Sequence, residues 1–367
     1  MKIFVEKAKL ENELRLFQGI FEKKAIMEIL QNIKLTAMDG GVLEMVATDL
    51  EIGLVTNIQV DIRQTGSFTV NGKDLYDLVS KMPEGSIEIS EDNDLQVVIT
   101  NDKKTSKYKM LGLQSSDYPE LPVNNMANAI TLSLADFQAM INNCYYVISP
   151  ELKFNLGGAL LTIAKSKIEM AATDGHRLAY SFFGTDAAVS DPVEYILSRK
   201  TLLEVLKIGG SGEIEFAFDN NNLFFKHKNR TLCSRIVDQK FPNYKTVIPE
   251  KTEQTAVVKT EELLQTLRRI LIFKTRNNGV VFKFSKNKLV MERTTPEKGE
   301  GYDEIAIEYS GKAVSVGFNG NFILDFLTHI GSEKLSIGVN DSESSFLFKP
   351  LDNGGSHFIY IVMPLNI

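Results

Sequence analysis

Along this chain, short runs in which apolar and polar residues alternate are interrupted by stretches where apolar residues recur every three or four positions. The first pattern predicts strands with one buried face, the second amphipathic helices. Three alternating segments share one layout: "NIKLTAMDGGVLEMVATD" from Asn32, "GGALLTIAKSKIEMAATD" from Gly157 and "NGVVFKFSKNKLVMERTT" from Asn278. Each places a turn between two alternating runs and so predicts a β-hairpin. The second runs begin at Leu43, Ile168 and Leu289, offsets of 125 and 121 residues.

Helical stripes keep the same spacing. Leu10, Leu14, Phe17 and Phe21 precede the first hairpin; Phe137, Met140, Ile141 and Cys144 the second; Leu263, Leu264, Leu267, Ile270 and Leu271 the third. A second stripe follows each hairpin: Leu75, Leu78, Val79 and Met82, then Leu202, Val205 and Leu206, then Ile323, Phe326, Leu327 and Ile330. Asn71, Ser198 and Asn319 stand where these helices need an N-cap. Amphipathic spacing alone is common, but several elements at matching offsets mark a repeat. The expected fold class is therefore α+β, three tandem copies of a β-α-β-β-β-α-β-β-β unit at 1–124, 125–248 and 249–367. "SSDYPELPVNNMANA" and "FPNYKTVIPEKTEQ" mark the joints, and a Tyr or Phe beside Pro in each predicts a packed connection.

A sheet covered by helices on one face still has edges to satisfy. Three tandem copies make an arc with two free edges, and two such chains meeting head to tail would close a six-unit ring. Twelve helices spaced about 8–10 Å apart would line a bore wide enough for a nucleic-acid duplex.

Charge changes that picture in one respect. The formal net charge of −6 argues against a polyanionic partner, but its distribution does not. Lys7, Lys9, Arg15, Lys23, Lys24, Lys73 and Lys81 lie on or beside the helices of the first copy. Arg199, Lys200 and Lys207, then Arg268, Arg269, Lys274 and Arg276, do so in the others, while "EISEDND" and "NDSES" fall on outer turns. A ring that holds its ligand topologically needs only weak contacts to phosphates, without sequence information.

The remaining composition excludes more than it suggests. The two cysteines, Cys144 and Cys233, have no metal-ligand or disulfide spacing, which points to a reducing compartment and to no metal or cofactor. "MKIFVEKAKLENELR" has no signal-peptide core, and no run approaches the roughly 20 apolar residues of a membrane span, so a cytoplasmic protein without membrane contact is expected. "AATDGHRLAY" (171–180) raises the one enzymatic possibility, Asp174 orienting His176 as a base or both holding a metal. The repeat argues otherwise. The matching Asp49 is followed by "LEIG", Thr295 by Pro296, and an Asp-Gly pair after a strand is ordinary turn chemistry. His227 in "KHK" is expected on an exposed strand, and a scaffold that binds only proteins stands as the rival to a ring around DNA.

Four segments in order, "ATDLEIGL" (47–54), "AATDGHRLAY", "FPNYKTVIP" (241–249) and "IYIVMPL" (359–365), give the chain a full-length resemblance to the bacterial DNA polymerase III β subunit family, the sliding clamps. That resemblance implies a DNA clamp fold and half of a six-domain ring: a non-catalytic homodimer that encircles double-stranded DNA as a processivity factor. It implies loading by an ATP-driven clamp loader, and an apolar cleft shared by the polymerase III α subunit, the loader and repair proteins carrying a short binding motif. By match, the cleft would involve Leu156, Thr173, Gly175, His176, Arg177, Leu178, Pro242 and Val247, with Ile361, Val362, Met363, Pro364 and Leu365. Arg177 would lie along one wall with its head in water. Lys24, Lys73 and Lys200 would face DNA, with the neighbouring Arg199 and with Lys153 in a loop where Ser149 and Pro150 depart from the family pattern. The dimer contact is expected in "SKYKML" (106–111), through Tyr108 and Met110, against Leu271 and Ile272 of the partner's third copy. Leu365 and Asn366 replace Met and Arg at the tail, which keeps an apolar rim with one positive charge fewer.

Overall fold

Each copy of the pattern folds as two helices over antiparallel strands, with more strands than the pattern predicts. The computed structural model describes the chain except for residues 22–26, 92–94, 150–156, 186–188, 190, 250, 274–276, 296–298, 353–356 and 367. The first copy holds β1 (Lys2–Glu6), α1 (Lys7–Leu16), β2 (Asn32–Met38), β3 (Val42–Thr48), β4 (Ile52–Gln59), β5 (Asp61–Gln64) and β6 (Gly66–Asn71). It ends with α2 (Gly72–Lys81), β7 (Ser86–Glu91), β8 (Gln96–Asn101) and β9 (Lys107–Leu113). The second holds β10 (Ile130–Ser133), α3 (Leu134–Cys144), β11 (Gly158–Ala164), β12 (Lys167–Thr173), β13 (Arg177–Gly184) and β14 (Val193–Ser198). It ends with α4 (Arg199–Lys207), β15 (Glu213–Phe218), β16 (Asn222–His227) and β17 (Arg230–Arg235). The third holds β18 (Gln254–Lys259), α5 (Thr260–Ile270), β19 (Gly279–Ser285), β20 (Lys288–Thr295), β21 (Gly299–Ala306) and β22 (Val314–Asn319). It ends with α6 (Gly320–His329), β23 (Lys334–Val339), β24 (Phe346–Pro350) and β25 (His357–Val362).

The α+β class and the threefold repeat stand, but the expected unit is short by one strand between its helices. The strands without a counterpart in the pattern are β4, β13 and β21. Leu178 to Ser181 of β13 are buried on both faces, so alternation disappears there. β21, "GEGYDEIA", is largely exposed and carries no apolar series. The first copy adds the short β5 as well.

The helical stripes point inward as read. Leu10, Leu14 and Phe17 are fully buried, as are Phe137, Met140, Ile141 and Cys144, and Leu263, Leu267, Ile323 and Phe326. The Asn71 side chain accepts from the Asp74 N–H at 3.0 Å and that of Asn319 from the Asn321 N–H at 3.1 Å, so both act as N-caps.

Compact packing divides the chain into two bodies that cut across the copies. One comprises Met1–Leu134 with Lys200–Ile236, the other Ala135–Arg199 with Val237–Ile367. In the first, a 13-stranded sheet runs β10-β15-β16-β17-β4-β3-β2-β6-β9-β8-β7-β1-β5. Its seam is β17 against β4, with Arg230 opposite Thr56 and Ser234 opposite Ile52. In the second, an eight-stranded sheet runs β14-β11-β12-β13-β25-β24-β23-β18, and its seam is β25 against β13, with Val362 opposite Arg177 and His357 opposite Phe182. A four-stranded sheet, β21-β20-β19-β22, completes that body. The joints are packed: the buried Tyr118 hydroxyl donates to the Asn32 carbonyl at 3.0 Å and accepts from the Thr48 N–H at 3.3 Å.

Glu13 on α1 ties the first body together. Its carboxylate takes two hydrogen bonds from the Arg230 guanidinium at 2.7 and 3.2 Å, and Arg230 also donates to the Ile208 carbonyl. With Glu13 8% and Arg230 22% exposed, removal of one partner strands the other in a dry place. Glu13→Ala should therefore destabilise this body by about 3 kcal/mol, read from the urea midpoint. An unchanged midpoint would show the pair to be dispensable.

Candidate functional site

The turn between β12 and β13 is built by one short side-chain program. The Thr173 hydroxyl donates to the Arg177 carbonyl at 2.7 Å and accepts from the Gly175 N–H at 3.1 Å, while Asp174 Oδ1 accepts from the N–H groups of His176 and Arg177 at 3.0 and 3.1 Å. The first copy repeats it: Thr48 bonds the Ile52 carbonyl and the Leu50 N–H at 2.9 Å each, and Asp49 takes the N–H groups of Glu51 and Ile52 at 3.0 and 2.8 Å. Asp174 is thereby committed to the turn. Burial pushes the Cys233 thiol up to about 11 and the fully buried Cys144 thiol further, so neither is a nucleophile at neutral pH. Among the described residues, no group of three His, Cys, Asp or Glu could hold a metal ion.

Beside the turn lies an apolar cleft of about 260 Å³. Thr173, Gly175, His176, Arg177 and Leu178 line one side, Pro242, Asn243, Tyr244 and Val247 another, and Ile361 and Met363 a third. Leu178 and Ile361 face each other across the seam and form the floor with Ala171, Tyr180 and Tyr244. Beyond β25 the tail stays pinned: the Met363 N–H donates to the His176 carbonyl at 2.9 Å and the Leu365 N–H to the Gly317 carbonyl at 2.8 Å. Val247 and Met363 are 42% and 43% exposed, which leaves an adaptable apolar rim.

The expected set is thus largely brought together, with exceptions. Val362 is buried in the seam, and neither it nor Pro364 or Leu365 lines the cavity. Leu156, Lys24 and Lys153 lie outside the described residues. Asn243 and Tyr244 also line the cleft beyond the expected set, and their place between Pro242 and Val247 is the sequence signal for it.

Arg177 departs most from expectation. Its side chain is only 9% exposed, so the guanidinium is not in water along the wall. Nε bonds Asp174 at 2.9 Å, Nη1 bonds Asp325 of α6 at 2.7 Å and the Tyr360 hydroxyl at 3.3 Å, and Nη2 reaches the Tyr146 carbonyl at 3.4 Å. The Phe322 ring lies 4.4 Å beneath it. Burial alone would lower the affinity of this guanidinium for its proton, but Tyr360, Asp325 and Asp174 outweigh it and hold the group above its ordinary value.

The other predicted positions are scattered. Lys73 is exposed in the first turn of α2, and Arg199 is exposed with its guanidinium 5.8 Å from the Tyr145 ring centre. Lys200 is ion-paired with Asp49 and is not a free cation. Lys7 is buried between Glu11 and Glu84, at 2.8 and 2.9 Å. Tyr108 and Met110 lie on β9, Tyr108 44% exposed; Ile272, 73% exposed, and the half-buried Leu271 follow α5. His227 corrects the expectation of an exposed strand residue: it is buried, with Nδ1 2.7 Å from the Glu213 carbonyl.

Three repeated units on antiparallel sheets, with an apolar cleft where a catalytic cluster was conceivable, define a binding protein. The N-terminal, central and C-terminal domain families of the DNA polymerase III beta subunit match residues 1–122, 131–243 and 245–366. The chain belongs to this family, the sliding clamps, which are non-catalytic processivity factors of the polymerase. It is 27% identical to the beta sliding clamp of Synechococcus elongatus and 25% identical to that of Pseudomonas aeruginosa, in each case over the whole of both chains. Among solved structures, the P. aeruginosa sliding clamp bound to griselimycin matches with a TM-score of 0.93 at 26% identity, covering both chains fully. The Thermotoga maritima beta subunit matches at 0.92 and 25% identity, covering this chain fully and 99% of the other. No helix among the described residues is long and apolar enough to cross a membrane.

Gly175 sits at φ +88°, where an L side chain is strained, whereas the first copy tolerates Leu50 at φ +75°. Gly175→Ala should destabilise its body by about 1 kcal/mol. Leu50→Gly should not lower stability, because relief of strain offsets the added freedom of the unfolded chain. Urea unfolding that ranks the two variants the other way contradicts this account of the turn.

Proposed function

We propose that the chain works as a homodimeric ring around duplex DNA, with Thr173, Gly175, Leu178, Pro242, Val247, Ile361 and Met363 forming a docking cleft for short apolar segments of the polymerase, the clamp loader and repair proteins. The domain limits read from the sequence, 1–124, 125–248 and 249–367, belong to the same reading, as does a cytoplasmic location. One observation carries it. The last strands of the second and third copies cover the strand after the turn in the copy before: β17 covers β4 and β25 covers β13. Among the described residues, the first copy's last strand, β9, pairs over Lys107–Leu111 with β8 alone, and the third copy's β21 with β20 alone. Each chain therefore offers one uncovered strand of either kind, and two chains satisfy both pairs head to tail.

Charge complementarity supports the same contact. Lys107 and Lys109 are exposed on β9 together with Tyr108 and Leu111, while Glu300 and Glu304 are exposed on β21 together with Tyr302. Tyr108 and Met110 are assigned to that contact, with Leu271 and Ile272 at its margin. Lys73, Arg199 and, once released from Asp49, Lys200 are assigned to weak phosphate contacts, and Lys24 and Lys153 join them by sequence alone.

Sedimentation should report a dimer that the double reversal Glu300→Lys, Glu304→Lys weakens at least tenfold and that Lys107→Glu, Lys109→Glu restores in the mixed pair. Loaded protein should stay on circular duplex and run off linear ends; equal loss from both excludes encirclement and leaves the protein-only scaffold. Deletion of residues 363–367 should abolish binding of a polymerase-derived peptide and leave the dimer intact. Retained peptide affinity would remove the cleft assignment.

A further inference from the structure

A second cavity, of about 380 Å³, lies between α5 and α6 and shares no lining residue with the cleft. Its floor is apolar, with Leu264 and Leu327 8% and 2% exposed, and its charged groups are sorted by end. Glu261 and Glu333 stand exposed at the start of α5, where the Thr260 N–H donates to the Glu333 carbonyl at 2.9 Å. Arg268 stands exposed two turns further on, about 10 Å along the helix axis. Among the described residues none of the three has an ion pair. The flanking Lys259 and Lys334 are taken by Glu262 and Glu308 at 2.9 and 3.0 Å, and Arg269 by Asp303 at 2.5 Å. Glu261 does accept from the Gln265 side chain at 2.7 Å.

Three hydroxyls line the same groove. Those of Thr328 and Ser332 donate to the Asp325 and Lys334 carbonyls at 2.9 and 2.5 Å. That of Thr260, a residue 7% exposed, has no hydrogen-bond partner, which is costly unless something in the groove satisfies it. We propose that the groove is a second binding site, for a short dipolar ligand of the peptide kind. Its ammonium would sit at Glu261 and Glu333, its carboxylate at Arg268, an apolar side chain over Leu264 and Leu327, and a backbone amide on the Thr260 hydroxyl. An extended tripeptide, at about 3.3 Å per residue, spans the distance between the charged ends. An ammonium alone leaves Arg268 unused and a carboxylate alone meets two like charges, whereas a ligand bearing both matches each end. The assignment depends neither on the ring nor on the cleft.

The test titrates the full-length chain at low salt with the tripeptide Gly-Leu-Gly and with forms acetylated at the amine, amidated at the carboxylate, or both. The free peptide should bind saturably, and each block should weaken it about threefold, the worth of one exposed charge pair. In the double variant Glu261→Gln, Glu333→Gln, acetylation should no longer matter while amidation still does; in Arg268→Gln the reverse should hold. Thr260→Val should weaken all four forms alike. Deletion of residues 363–367, which takes away the rim of the cleft, should leave the titration as it was. Loss of binding on that deletion would put the tripeptide in the cleft. Equal binding of the free and doubly blocked forms, or no saturable binding at all, would leave the groove without this ligand. Each of these results overturns the proposal.

Discussion

The rest of the structure depends on the hydrogen-bonding demand of a strand edge. Every N–H and C=O along β4 and β13 needs a partner on the side away from its hairpin, and the chain supplies one from more than 170 residues downstream, β17 for the first and β25 for the second. The two seams are equivalent to the residue: the Arg235 N–H meets the Glu51 carbonyl at 2.8 Å just as the Met363 N–H meets that of His176 at 2.9 Å. They also explain why the compact bodies do not follow the sequence copies. The middle copy gives β15, β16 and β17 to one seam and β11 to β14 to the other, so its halves pack with different neighbours.

Function is laid over this constraint where the second seam ends. In the first body the position after the turn is Gly53, and a side chain there would run into Leu121 at 2.5 Å and Cys233 at 2.9 Å, so the joint itself closes over the strand. In the second the equivalent residue is Leu178, whose side chain is floor, and the joint stands back far enough to leave a cavity. One fold element thus yields a sealed joint once and a binding cleft once. The difference is a few side chains, not a different backbone, because the turn hydrogen bonds are the same in both.

What was legible in the sequence follows from how local its cause is. Period-two and period-3.6 patterns, Asn caps and the Thr-Asp turn act within a few residues, and Leu10, Met140, Leu267, Asn71 and Asn319 all lie where the pattern puts them. β13 was hidden because it is buried on both sides, and β21 because its half-buried face carries Gly301, Asp303 and Ile305 and no apolar series. Arg177 was misplaced for a different reason: nothing within 140 residues of it reveals that Asp325 will stand 2.7 Å away. Lys200 shares that limit, since its partner Asp49 lies 151 positions back. Charges on a helix can be counted from sequence, but whether they are spent cannot.

That distinction bears on how an acidic chain could hold DNA. Lys7, Lys200, Lys207 and Arg269 are each committed to a carboxylate within their own body, so the basic helices present less free charge than a residue count implies. A clamp that relied on electrostatic affinity would be weakened by every such pair, whereas one that relies on closure is not. The same logic separates the seams. Those within the chain are floored by apolar clusters, Leu178, Tyr180 and Ile361 in one and Ala217, Phe224 and Cys233 in the other, and hold regardless of salt. The proposed seam between chains carries lysines on one strand and glutamates on the other, interactions that are exposed and screened. A ring of the proposed kind, which must open to admit duplex and close to retain it, needs its weaker joints between chains, and an edge-to-edge contact steered by surface charge supplies them without loosening the two seams within each chain, one sealed and one bearing the cleft.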